Sequence, residues 1–136
     1  MKEVLLDTDI ISYYFRQHPQ VLKKFEEYIL EYLQVNISRI SVYEIVGGLK
    51  AKQANKQLSD FLKFISENHI LEVTVTSMEI ASEIYASLKL AGKPISDTDI
   101  FIAGIAIEHN LVLVTNNTKH FENIEGLEID NWTLED

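Results

Sequence analysis

The chain has 136 residues, no cysteine, and 21 Asp and Glu against 12 Lys and Arg, which gives a formal net charge of −9. This acidic balance excludes a nucleic-acid binder that works through an overall basic surface, and the lack of cysteine excludes disulfide scaffolds and thiolate metal sites. Its length fits one domain over residues 1–136, and with no apolar run near the roughly 18 residues of a membrane span we expect a cytoplasmic protein.

Apolar periodicity alternates between short strand-like runs and longer helical ones along the chain. The predicted strands cover residues 4–6, 35–40, 70–73, 111–114 and 127–129. Helical spacing covers residues 21–33, 41–49 (stopped or bent around Gly47 and Gly48), 58–65 and 97–109, and a capping box at Thr76 to Glu79 predicts one further helix start. Strands separated by helices predict an α/β protein, a three-layer α/β/α sandwich with a mainly parallel central sheet.

Three groups of acidic residues follow predicted strands or begin predicted helices. They are Asp7 and Asp9 after the first strand, Glu44 after the second, and Asp97 and Asp99 at the start of the last long helix. Each group has a local explanation in helix capping, Asp9 being a better candidate than Asp7, and Ser41 to Glu44 matches a capping box. However, helix starts that follow parallel strands lie at one edge of the sheet, so Asp7, Glu44 and Asp97 or Asp99 could converge there.

Converging carboxylates point to a cation. Ionised carboxylates that lie close together repel one another unless a positive ion is bound between them. Oxygen ligands, with no cysteine and no histidine pair, suit Mg²⁺ or Mn²⁺ rather than zinc. One or two such ions can activate a water molecule and neutralise the charge that develops on a phosphate during in-line displacement. The spacing therefore predicts an acidic divalent-metal site.

Four short motifs occur in a fixed order along the chain. They are residues 4–9 (VLLDTD), 38–44 (SRISVYE), 92–103 (GKPISDTDIFIA) and 113–121 (LVTNNTKHF) followed by 124–127 (IEGL). Together they resemble the motifs of PIN-domain nucleases, and in particular the VapC-type toxins of toxin–antitoxin modules, over residues 4 to about 132. The resemblance implies a PIN-like fold and an endoribonuclease that uses Mg²⁺ or Mn²⁺ to cleave RNA with a metal-activated water. It also implies a small VapB-like cognate antitoxin and a homodimer.

The resemblance also implies roles for individual residues. Asp7, Glu44 and Asp99 match the family's metal-binding and catalytic acids, and Asp97 is a frequent extra acid of the same motif. A secondary group comprises Thr115, Asn117 and Asp9. Many PIN domains have a fourth acid where Asn117 stands, whereas many relatives have Asn where Asp9 stands.

Positive charge near the motifs is the candidate for contact with an RNA backbone. The basic side chains in question are Arg39, Lys50, Lys52 and Lys93. The four histidines show no spacing typical of a metal cluster and are left out of the catalytic set. Among them His120 follows the last motif, where a surface loop residue is a simpler interpretation than an RNA contact.

Two other functions stay open from the residues alone. An apolar strand followed by Asp7-Thr8-Asp9 also suggests a haloacid-dehalogenase-like phosphatase, although Ile11 stands where that class usually has Thr or Val. A non-catalytic α/β binding domain, whose acids serve only as helix caps, is the other alternative. RNA cleavage that requires a divalent metal separates the nuclease from both.

Overall fold

The computed structural model describes residues 1–135, which form one five-stranded parallel sheet with helices on both faces. The strands are β1 (Val4–Leu6), β2 (Asn36–Ser38), β3 (His69–Leu71), β4 (Val112–Val114) and β5 (Ile129–Asp130), in the order β3-β2-β1-β4-β5. The helices are α1 (Thr8–Phe15), α2 (Pro19–Tyr32), α3 (Arg39–Ala51), α4 (Asn55–Ser66), α5 (Val75–Leu90), α6 (Asp97–Glu108) and the short α7 (Thr118–Phe121). The predicted α/β/α sandwich is confirmed.

The sheet separates two apolar cores. Because successive side chains of a strand point to opposite faces, Leu5 and Leu113 pack into the core that α5 and α6 cover. Leu6 and Val114 pack into the other core, which is covered by α1 to α4 and includes Trp132. Strands β1 and β4 are buried on both faces, and Asp7 and Thr115 directly follow them. Both polar residues therefore lie at the carboxyl edge of the sheet, where buried strands fix the position of their backbone.

Helix α3 begins earlier than the sequence predicts, and this matters for the site. The second strand ends at Ser38 instead of residue 40, and the Ser38 hydroxyl caps α3 by accepting a hydrogen bond from the backbone N–H of Ser41 at 3.0 Å. The helix then continues through Gly47 and Gly48 to Ala51. The predicted stop at the two glycines is wrong, because the packing of α3 overrides their low helix propensity.

Helix α5 also has a different cap from the predicted one. Thr74 and Ser77 form the capping box, each hydroxyl accepting from the other residue's backbone N–H at 2.9 Å, so the prediction at Thr76 to Glu79 is wrong. This end of α5 lies against α6 at Gly104, where an added Cβ would lie 2.6 Å from the Ser77 carbonyl oxygen. Within residues 1–135, none of the helices is long and apolar enough to cross a membrane.

Candidate active site at the carboxyl edge of the sheet

Asp7 lies at the centre of the carboxyl edge, between β1 and α1. Its side chain is only 6% exposed. One carboxylate oxygen accepts from the backbone N–H of Thr8 and the other from the Thr115 hydroxyl, each at 2.8 Å. Burial, and then the charge of Asp9, raise the pKa of Asp7 to about 7. Asp7 is also the N-cap of α1, so the cap that the sequence favoured at Asp9 belongs to Asp7.

Asp9 lies in the first turn of α1, beside Asp7. Its Oδ2 accepts from the backbone N–H of Asn116 at 3.0 Å, which joins the start of α1 to the loop after β4. Its Oδ1 is buried and has no hydrogen-bond partner within the described residues. Burial raises the pKa of Asp9, and the charge of Asp99 raises it further. Asp7, Asp9 and Asp99 therefore lie close enough for their charges to interact.

Glu44, on α3, is connected to this edge by a hydrogen bond from the Thr8 hydroxyl. Its Oε1 accepts from the Thr8 hydroxyl at 2.7 Å, and the Thr8 oxygen lies 2.8 Å from the Ser41 hydroxyl oxygen. The capping box predicted for Ser41 and Glu44 is wrong, because Ser38 caps the helix and leaves Glu44 free to face α1. Sequence reasoning missed the role of Thr8, although its position between the two acids of the first motif was a signal.

Asp99 and Asp97 have different surroundings, although both lie in the first turn of α6. Ser96 caps this helix by accepting from the backbone N–H of Asp99 at 3.3 Å. The side chain of Asp99 is 18% exposed, and its Oδ2 lies 2.9 Å from Nδ1 of His120. Asp97 is exposed and has no hydrogen bond or ion pair among residues 1–135. The structure therefore places Asp99, and not Asp97, in contact with His120 and close enough to Asp7 and Asp9 for their charges to interact.

His120 lies on α7 against this cluster, not in an isolated surface loop. Its Nδ1 is 2.9 Å from Asp99 and 2.7 Å from the side-chain nitrogen of Asn117. One ring nitrogen either donates to the carboxylate or accepts from the amide, so these two neighbours compete for it. Asn117 is in turn held by its backbone N–H, which donates to the Thr115 hydroxyl at 2.9 Å. The spacing of Asn117 and His120, one helical turn apart, was the signal in the sequence.

The set of side chains fits a hard cation in its chemistry. The acidic side chains of this edge offer oxygen ligands, and three of their carboxylates interact electrostatically. The Oδ1 atom of Asp9 is buried and has no hydrogen-bond partner in the described structure. In residues 1–135, no three His, Asp or Glu side chains are arranged to hold one ion together. The carboxylates would therefore have to draw closer on binding.

The sequence of this chain also matches a protein-family model. The PIN domain model matches residues 4–127, which contain every residue of the edge described above. The chain belongs to the PIN domain family. A tRNA(fMet)-specific endonuclease VapC from Salmonella typhimurium is 30% identical over 133 residues, covering 97% of this chain and 99% of that protein. Ribonuclease VapC2 from Rickettsia felis is 31% identical over 129 residues, covering 94% and 96% of the two chains.

The PIN fold extends over nearly the whole chain. The crystal structure of DNA-bound VapBC from Salmonella typhimurium matches with a TM-score of 0.86 and 30% identity, covering 97% of this chain and 99% of that chain. The resemblance to VapC-type PIN proteins read from the four motifs is therefore confirmed.

The basic residues proposed for RNA contact lie outside the acidic cluster of this PIN domain. The Arg39 guanidinium forms two hydrogen bonds with Glu72, at 2.6 and 2.8 Å, and its charge is already neutralised there. The Lys93 ammonium lies 3.5 Å from the Asn123 side-chain oxygen. Lys50 is in the last turn of α3 and Lys52 is its C-cap. Lys50, Lys52 and Lys93 form no ion pair in the described structure, whereas Arg39 is paired with Glu72.

Proposed function

We propose that this chain is the toxin of a toxin–antitoxin module and acts as an endoribonuclease that requires Mg²⁺ or Mn²⁺. The toxin and ribonuclease functions are supported by full-length VapC relatives and by VapBC structures of the same fold. The observation that carries the metal requirement is Asp7, a carboxyl group buried at the sheet edge beside Asp9 and Asp99. Ionising it at neutral pH without a cation is unfavourable, so a divalent ion gives this arrangement a physical reason.

The proposed roles follow the contacts of each side chain. Asp7, Glu44 and Asp99 would hold the ion, which when bound supplies an activated water and neutralises charge on the scissile phosphate. The Thr115 hydroxyl and the Thr8 backbone N–H orient Asp7 by donating to its two oxygens. The Thr8 hydroxyl orients Glu44, so one residue positions two of the three acids.

The relatives also suggest which RNA to test first. The Salmonella typhimurium relative is named a tRNA(fMet)-specific endonuclease, so we propose initiator tRNA as the first candidate substrate of this chain. Lys50 and Lys52, with unpaired positive charge after the Glu44 helix, are proposed to contact the RNA backbone. An acidic protein needs such a local cationic surface because its net charge repels RNA.

The partners are proposed from the same comparisons. Structures of VapBC complexes share this fold, and we propose that a small cognate antitoxin binds this chain. An apolar groove between α1, α3 and α4 is the proposed docking place; it is lined by Ile11, Phe15, Ile45, Leu49 and Phe61. A homodimer stays a prediction, for which the exposed apolar side chains of Val73, Val75 and Met78 offer a contact surface.

The decisive experiment is cleavage of RNA by the purified, metal-free protein. We expect cleavage of initiator tRNA or of a few sites in total RNA when Mg²⁺ or Mn²⁺ is added, and none in excess chelator. Mapping the new RNA ends identifies the substrate. Cleavage that persists in chelator would refute the metal requirement, and hydrolysis of a phosphate monoester without RNA cleavage would favour the phosphatase alternative.

Thr8→Val tests the proposed positioning of Glu44. The substitution keeps the shape of the side chain but removes the hydroxyl that donates to Glu44, so we expect kcat to fall about tenfold with little change in KM. Thr8→Ser retains the hydroxyl and should restore most of the rate. Equal loss in both variants would mean that the hydroxyl is not what positions Glu44.

A further inference from the structure

We propose that Asp9 is an additional carboxylate ligand of the cation in this chain. The inference rests on the proposed metal-dependent function and adds a residue to its site. In the loop after β4, the residues Thr115, Asn116 and Asn117 all have neutral side chains. That loop contributes no carboxylate, and the amide of Asn117 contacts His120. Asp9 is held against the same loop by the backbone N–H of Asn116.

The position of Asp9 is fixed by one of its two oxygens. Oδ2 accepts from the backbone N–H of Asn116 at 3.0 Å, which ties the carboxylate to the edge between β1 and β4. Oδ1 is buried and makes no hydrogen bond in the part of the chain that the structure describes. A buried carboxylate oxygen without a donor is unfavourable, and buried polar atoms left in this way in native structures call for an explanation such as a bound ion.

Neither helix capping nor an ion pair accounts for the carboxylate of Asp9. The N-cap of α1 is Asp7, so Asp9 is not needed to cap the helix. Among residues 1–135, no Lys, Arg or His forms an ion pair with Asp9, and the negative charge of Asp99 acts on it and raises its pKa. A cation bound by Asp7 and Asp99 would offset this repulsion and give Oδ1 a partner. The competing explanation is a proton shared between the Asp7 and Asp9 carboxyl groups.

The experiment measures Mn²⁺ binding itself, without RNA. Mn²⁺ is titrated into the metal-free protein and the free ion is followed by electron paramagnetic resonance for the parent, Asp9→Asn and the matched control Asp60→Asn. Asp60 is exposed on α4 and pairs with Lys56 of the same helix. Because affinity depends on the number of charged ligands, we expect the dissociation constant to rise about tenfold or more in Asp9→Asn only. The thermal midpoint of metal-free Asp9→Asn should equal or exceed the parent's.

Each other outcome has a separate meaning. Parental Mn²⁺ affinity in Asp9→Asn overturns the inference and favours the shared proton. A parent that binds no Mn²⁺ overturns the inference together with the metal requirement of the proposed function, and this is visible before any variant is made. If Asp9→Asn loses its native circular dichroism, Asp9→Ser gives the same comparison, because it removes the carboxylate without adding an amide.

Discussion

Asp7→Asn is expected to abolish RNA cleavage while making the metal-free protein harder to unfold. Activity should fall at least about a hundredfold, because the substitution removes the charge at the centre of the proposed metal site. The fold should survive, since the amide oxygen can still accept from the Thr8 backbone N–H and the amide nitrogen can donate to the Thr115 hydroxyl oxygen. Above pH 7 the parent buries an ionised carboxylate here, and the variant does not.

Two measurements on the same preparations check this result. Cleavage rates are measured with saturating Mg²⁺ or Mn²⁺, and unfolding free energies in denaturant with chelator at pH 8. Asp60→Asn makes the same chemical change on exposed α4 and should leave the cleavage rate at the parental level. An inactive variant that is also strongly destabilised would mean that Asp7 acts mainly as a structural cap. A fully active one would remove Asp7 from the site.

The start of α3 illustrates what local sequence patterns can and cannot predict about helix caps. Hydroxyl residues occur at Ser38 and Ser41, and a local pattern that pairs Ser41 with Glu44 is as good a cap as one at Ser38. The pairing of β2 with β1 and β3 ends the strand at Ser38 and so fixes the helix start. Glu44 then lies in the second turn, facing Thr8, which no local pattern could indicate.

Long-range contacts explain what the sequence missed at the site. The order of motifs placed Asp7 and Thr115 at the same edge, because both follow strands of a parallel sheet. Their hydrogen bond joins residues 108 positions apart and depends on β4 lying beside β1. The contact of His120 with Asp99 depends on the short helix α7, which apolar periodicity does not predict. Strand placement could therefore be predicted, whereas the partners of each side chain could not.

At Asp7, a role as the N-cap of α1 and a role in the proposed metal site are compatible. The residue accepts the first backbone N–H of α1, as a cap does, and it is also the most deeply buried acid of the edge. The Thr8 backbone N–H and the Thr115 hydroxyl donate to the carboxylate and lower its pKa, but burial and neighbouring acids outweigh them, which leaves the pKa of Asp7 raised to about 7. Capping therefore explains part of the surroundings of Asp7, and it does not exclude a role for this residue in the site.

The stability of the metal-free protein should fall as pH rises from about 4 to about 7. The pKa of Asp7 is 3.8 in the unfolded reference and about 7 in the fold, so the folded state holds an extra proton between these values. Stability decreases with pH wherever the folded state binds more protons, and the expected loss is on the order of 3 kcal/mol, complete above pH 7. Asp9, whose pKa is also raised by burial, contributes a further loss of stability as pH rises.

Saturating Mn²⁺ should reverse this dependence. The ion binds ionised carboxylates, so protons compete with it at low pH, and the stabilisation that it gives should increase from about pH 5 to 8. Denaturant unfolding curves at half-unit pH intervals, with chelator and with Mn²⁺, measure both slopes, and Asp7→Asn should flatten both. Parallel slopes with and without Mn²⁺ would show that the buried carboxyl of Asp7 and metal binding are not linked, because linkage requires the ion to compete with the proton that Asp7 holds.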